Sequence, residues 1–281
     1  DPLIRSNENV RIIRNPINIG ANPNIMRGFE YARGEYLWIL GDDDKVKNNA
    51  IELIFKYIEE TPESIFFNFN SQAVGHSDRK SNLLCKNLAE FLDSIDTLGQ
   101  LVFISSNIYK VNYFKESYRI ASLYTYTHIP QFIIVIMSLY YKNNFSMICK
   151  DEIVDISNSE TEISTQISTI NIALGFPIIL DLPIKLKYIN KLKFLLIGTM
   201  KFWITPRGIF HQLLLGLTKE NVKETLELLK KLDNRFFSLN KSFVLKCQIF
   251  VVKLLIYFPT LGKFILKIMY KSIKKSTTGE F

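Results

Sequence analysis

The sequence predicts an α/β domain with a mixed or parallel sheet, followed by a helical, basic C-terminal region. Three observations carry this. Helical and strand patterns alternate from the N-terminal part of the chain to about residue 190, which favours a sheet flanked by helices. One segment, Tyr36-Leu37-Trp38-Ile39-Leu40, is a continuous apolar and aromatic run, the pattern of a strand covered on both faces. From about Lys185 acidic residues thin out and long apolar segments carry lysines.

In chain order, Val10-Arg11-Ile12-Ile13 reads as a short strand leading into a loop at Asn18. Asn22 is a plausible N-cap, which puts Pro23 at the first helical position, where a missing N–H costs nothing. Ile25, Met26, Phe29 and Ala32 follow at helical spacing, and Gly34 is placed to close the helix in a left-handed cap. The apolar run from Tyr36 then stops at Gly41-Asp42-Asp43-Asp44.

Three adjacent carboxylates at the end of a buried strand repel one another, and burial raises that cost. A divalent cation removes it. Hard oxygen ligands suit Mg²⁺ or Mn²⁺, which keep waters and a substrate diphosphate as further ligands. Ligands of open α/β sheets sit just beyond the carboxyl ends of the strands. Position and residue type therefore point to a metal–diphosphate site, with Asp42 and Asp44 as the metal ligands. The alternative is a solvated acidic turn with Asp44 capping the next helix. An EF-hand does not fit, since Val46 and Lys47 stand where a ligand and a glycine are needed.

Residues 18–44 together resemble the family 2 glycosyltransferases, inverting enzymes of the GT-A fold. The resemblance rests on Asn18-Ile19-Gly20, Asn24, Gly28, Ala32-Arg33-Gly34-Glu35-Tyr36 and Asp42-Asp43-Asp44. It is strongest over about the first seventy residues, and within the family it is nearest to the abequosyltransferase-like O-antigen enzymes, which share a Trp-Ile-Leu-Gly-Asp-Asp-Asp ending. The commoner family pattern has another aspartate where this chain has Gly41. The resemblance implies a GT-A-like, Rossmann-like core and donor contacts by Asn18, Gly20, Asn24, Asp42 and Asp43. The partners it implies are a nucleotide-sugar donor and a glycan or polyprenyl-linked acceptor. In that family about two βα units, with a Pro-x-Tyr-Asn-type segment and a nucleotide-binding aspartate, precede this point. Neither is found here, so the chain is expected to be truncated at its N-terminus, and a catalytically inactive fragment acting as a membrane-associated binding protein is the alternative function.

Asn48 or Asn49 can cap the next helix, with Ile51, Ile54, Phe55 and Ile58 as its apolar stripe and Thr61-Pro62 as its end. Ser64 to Phe69 reads as a strand, 75–82 as a polar loop holding a solvated His76, Leu83 to Leu98 as a helix, and Leu101 to Tyr109 as a strand. Ser105, Ser106 and Asn107 interrupt that last run. They are either a bulge or strand end or contacts to an acceptor sugar, since the family resemblance puts this region beside the acceptor cleft. Tyr124 and Tyr126 precede His128, and an apolar helix from Phe132 to Tyr141 follows.

An inverting transferase needs a base near the acceptor hydroxyl. His128 lies in the region where the family usually has a Glu-Asp pair, and an imidazole can act as base near neutral pH. Its other reading is a helix-capping or packed histidine. Asp151-Glu152 is a competing acidic pair that reads as a surface turn between strands.

Composition bounds the rest. The chain has 281 residues, 47% hydrophobic and 22% charged, enough to bury a full core. Cys85, Cys149 and Cys247 are far apart and lack metal-ligand spacing, which suits buried thiols in a reducing compartment. Residues 1–190 form the expected core and 191–281 the expected tail. From Lys241 to Phe281 eight lysines stand against one glutamate, nearly all of the formal net charge of +8. Phe243 to Phe258 and Leu261 to Ile273 are apolar with regularly placed lysines and too short to span a bilayer. Lysine-rich amphipathic helices of this kind lie on anionic membrane surfaces, or else pack on the core with their lysines outward. Nucleic acid is not expected as a partner, because the apolar surface would stand where polar and arginine contacts are needed. The expected location is cytoplasmic, peripheral on the inner face of the cell membrane.

Overall fold

A computed structural model describes residues 9–71, 79–127, 129–155 and 175–203, together with Phe258. Within them the chain forms α1 (Ala21–Tyr31), β1 (Tyr36–Trp38), β2 (Lys45–Val46), α2 (Ala50–Glu60), β3 (Ser64–Asn70) and β4 (Leu83–Cys85). There follow α3 (Leu88–Ser94), α4 (Gly99–Val102), β5 (Asn107–Lys110), α5 (Lys115–Ser122), α6 (Pro130–Lys142), β6 (Phe145–Glu152), β7 (Val154–Asp155) and α7 (Leu186–Trp203). Five strands make one sheet in the order β1-β5-β3-β6-β4, and β2 pairs with β7. β3 and β6 run parallel, while β1–β5, β5–β3 and β6–β4 are antiparallel. This is a mixed α/β fold, consistent with the expected GT-A-like, Rossmann-type arrangement.

The sheet separates two cores. Phe67, Phe69, Ile108, Met147 and Cys149 face α2, meeting its Ala50, Ile54 and Tyr57. Phe66, Tyr109 and Ile148 face the other helices, whose Met26, Phe29, Phe91, Phe114 and Phe132 close over them. α6 is buried from Pro130 through Leu139, as a helix apolar on all sides should be. Asn143 ends it at a left-handed φ of 48°, a conformation Asn tolerates.

Several local expectations need correction. No strand forms at Val10 to Ile13, and Val10, Ile12 and Ile13 lie exposed. α1 starts two residues early, with Gly20 rather than Asn22 at the N-cap. Pro23 still falls in the first turn, where N–H groups have no intrahelical partner. Gly34 is not a left-handed cap, since the helix already stops at Ala32. β1 is only three residues long and half-buried at the edge of the described sheet. An unbroken apolar run does not distinguish an edge strand from a central one.

The stripe of α2 is rotated from the expected one. Ile51 and Phe55 are 54% and 59% exposed, and Ala50, Ile54 and Tyr57 are buried. Asn49 holds its N-cap position without a side-chain cap bond. Leu83 to Leu98 splits into strand β4 and helix α3, joined by a reciprocal cap resembling a capping box. In it Asn87 Oδ1 accepts from Glu90 N at 3.1 Å and Glu90 Oε2 accepts from Lys86 N at 2.8 Å. Leu101 to Tyr109 is mostly not strand, because α4 and a 3-10 turn at Ile104–Ser106 precede β5.

Asp151 and Glu152 are not a surface turn. They end β6, where Asp151 Oδ2 accepts from the Tyr57 hydroxyl at 2.5 Å and Glu152 Oε2 pairs with Lys47 at 2.7 Å. Cys85 and Cys149 are buried free thiols, as expected. α7 runs through the boundary expected at 190/191. Tyr188 before it and Leu192, Leu195 and Leu196 after it enter the same core, and the Thr199 hydroxyl accepts from Leu98 N at 2.8 Å. The lysine-rich helices expected beyond Phe243 lie outside the described residues.

Candidate functional site

The site begins with how Asn18 to Asp44 folds. Gly20 adopts φ +82°, a backbone state open to glycine at little cost. Asn18 Oδ1 accepts from Gly20 N at 2.9 Å, an Asx turn that delivers the chain into α1. Asn24 Oδ1 accepts from Asn15 Nδ2 at 3.0 Å, and Arg27 bonds Asn15 in turn. An open pocket of about 560 Å³ lies here, lined by Arg14, Asn15, Asn18, Gly20 and Asn24 among others. Three residues expected to contact the donor thus share one pocket. Sequence reasoning missed Arg14, which has no motif to mark it.

α1 and β1 are joined by residues 32–35, and the chain doubles back there. A Cβ at Gly28 would lie 3.2 Å from Ile39 Cδ1. The middle of α1 therefore packs against Ile39, between β1 and the acidic turn.

That turn is tight. Asp44 N donates to Gly41 O at 3.3 Å, and a Cβ on Gly41 would lie 2.7 Å from Asp44 Oδ2. Asp42 and Asp43 are exposed, and Asp44 is half-buried. Burial pushes the Asp44 carboxyl above its ordinary value, with Asp43 and Asp42 adding repulsion. The Ser105 hydroxyl and the Gly41 amide oppose this by favouring the charged form.

Asp44 does not cap a helix, since α2 begins at Ala50. Among the described residues no group of three or more His, Cys, Asp or Glu side chains is placed to hold a metal ion. The donor set of the turn nonetheless fits a hard divalent cation. It consists of carboxylate oxygens only, and Asp44 carries repulsion that a cation would relieve. The remaining ligands would come from water and a diphosphate.

Ser105, Ser106 and Asn107 are fully or almost fully buried, with their polar atoms turned to the protein. Ser106 Oγ donates to Phe103 O at 2.8 Å. Asn107 Oδ1 accepts from Asn68 Nδ2 at 2.6 Å, and Asn107 Nδ2 donates to Phe103 O at 3.1 Å. Ser105 Oγ accepts from Gly41 N at 2.9 Å and donates to Asp44 Oδ2 at 2.5 Å. Tyr124 and Tyr126 stack at 6.5 Å between ring centroids with an interplanar angle of 18°, and Tyr126 is exposed. His128 and His76 lie outside the described residues.

Residues 1–126 match the glycosyl transferase family 2 model. That part of the chain, a little under half of it, is similar to family 2 glycosyltransferases. It covers α1, β1, the acidic turn and the sheet as far as β5. No curated protein matches the chain.

Proposed function

We propose that this chain transfers a sugar, with inversion, from a nucleotide-sugar to a glycan or polyprenyl-linked acceptor during synthesis of a bacterial surface polysaccharide. The observation that carries the reading is the Asp42–Asp44 turn just beyond β1, in the same family 2-like segment as the Asn18–Asn24 pocket.

In this reading Asn18, Gly20 and Asn24 contact the donor, and Asp43 faces its sugar or ribose. Asp42 and Asp44 would hold Mn²⁺ or Mg²⁺, which when bound supplies positive charge beside the leaving diphosphate. His128 takes the proton of the acceptor hydroxyl. The acceptor oxygen then bonds to the anomeric carbon as the bond from that carbon to the diphosphate oxygen breaks on the opposite face, which inverts the centre. Tyr124 and Tyr126 line the acceptor side, where the exposed ring of Tyr126, stacked on the half-buried Tyr124, suits the apolar face of a sugar.

An anionic membrane surface at the cytoplasmic side would present the acceptor lipid. Support comes from α7, which has no acidic residue and exposes Leu186 and Phe194 at 72% and 77% beside Lys187 and Lys193. Among the described residues no helix is long and apolar enough to cross a membrane. The test uses labelled nucleotide-sugars with bacterial lipid extract in anionic vesicles. Label should move into an organic-extractable product, and less of it at high salt. If label stays in the donor, or reaches only water, the transfer reading fails.

A further inference from the structure

Building on the donor-site reading above, we infer that Ser105 is a positioning residue that sets the geometry of the acidic turn and the way Asp44 meets a bound cation. Ser105 is fully buried in the 3-10 turn that precedes β5 and makes three bonds to a single stretch of chain. Its carbonyl accepts from Trp38 Nε1 at 2.8 Å, which fixes the 3-10 turn against β1. Its hydroxyl oxygen accepts from Gly41 N, and its hydroxyl proton goes to Asp44 Oδ2.

The direction of these bonds matters. A serine hydroxyl has one proton and accepting lone pairs. The backbone N–H of Gly41 can only donate, so it must use a lone pair of Oγ. The single proton is then left for Asp44, and the relay runs one way, from Gly41 N–H through Ser105 Oγ–H to Asp44 Oδ2. This commits Oδ2 to the protein and offers Oδ1 to a ligand. It also fixes the side-chain torsions of Asp44 before any ligand arrives. Outer partners of this kind orient metal-binding carboxylates, and losing one typically costs about 10- to 100-fold in metal affinity. Asp42 and Asp43, at the exposed tip of the turn, have no such clamp among the bonds described.

The test is a Mn²⁺ titration of the full chain, reading free Mn²⁺ by electron paramagnetic resonance, with folding checked by circular dichroism. Ser105→Ala should weaken Mn²⁺ binding about 10- to 100-fold without loss of fold. Ser105→Cys fills the same buried space with a weak donor and carries the same expectation if the alanine variant does not fold. In an Asp44→Asn background the Ser105→Ala change should cost nothing further, because the residue acts through that carboxylate. Unchanged Mn²⁺ affinity in a folded Ser105 variant overturns the inference, as does a full loss that persists in the Asp44→Asn background. A wild-type chain that binds no Mn²⁺ would instead bring down the donor-site reading and this inference with it.

Discussion

Gly41 and Asp44 are packed so closely that a Cβ on Gly41 would lie 2.7 Å from Asp44 Oδ2. The same Cβ would meet Asp43 Oδ1 at 3.1 Å. The first distance is too short for real atoms, and Asp44 is not free to yield, because Ser105 holds the same oxygen. An alanine at 41 must therefore break the Ser105–Asp44 bond or open the turn. Gly41→Ala should keep the fold and lose metal-dependent turnover by at least about 10-fold, measured as kcat/KM at saturating Mn²⁺. A fully active variant would show that the turn does not need this geometry.

Alkaline pH should weaken the fold through two contacts of β6. The hydrogen bond to Glu152 raises the Lys47 ammonium above its ordinary 10.5. Burial, helped by Asp151, raises the Tyr57 phenol above its ordinary 10.0. For a group whose folded pKa is raised, the stability it contributes is complete below the unfolded value and is lost as pH climbs through the folded one. Burial also raises the Cys85 and Cys149 thiols above their ordinary 9.0, so thermal melts should begin to fall above about pH 8 and keep falling past pH 10, where Tyr57→Phe should make the fall shallower. A melting temperature that rises above pH 10 would contradict this assignment.

His128 carries the base in the proposed reaction. Its replacement by alanine should lower kcat by about 10²–10⁴-fold, the usual contribution of a positioned base, with little change in donor KM. Asp151→Asn should leave turnover intact, because that carboxylate is occupied by Tyr57. It should cost about 1–3 kcal/mol of stability instead, read by urea unfolding. The reverse pattern, with activity lost in Asp151→Asn and kept in His128→Ala, would exchange the two roles.

Much of the site's frame was legible because its signals are local. The helix expected from Pro23, the strand from Tyr36, the acidic turn and the apolar helix expected from Phe132 each follow from spacing within a dozen residues. What was not legible depends on contacts across the chain. Ser105 reads in sequence as either a strand end or a sugar contact, and only its bonds to Gly41 and Asp44, 64 and 61 residues away, show a clamp. Asp151 looks like a surface carboxylate until Tyr57, 94 residues away, is found donating to it. Ile51 and Phe55 sit at helical spacing that fits the core as well as Ala50, Ile54 and Tyr57 do, and the sheet chose the second set. Leu83 to Cys85 fits a helical pattern but pairs with β6 instead.

The central claim, that the Asp42–Asp44 turn supports metal-dependent glycosyl transfer, is tested most directly by nucleoside diphosphate release. A panel of nucleotide-sugars would be incubated with the full chain and Mn²⁺, before and after chelation, and with Asp44→Asn beside the wild type. At least one donor should be turned over in the presence of Mn²⁺ or Mg²⁺. Chelation should abolish that activity, and Asp44→Asn should lower it by about 100-fold or more, since a cation at the leaving group is worth several kcal/mol. Turnover that survives both chelation and Asp44→Asn would contradict the account.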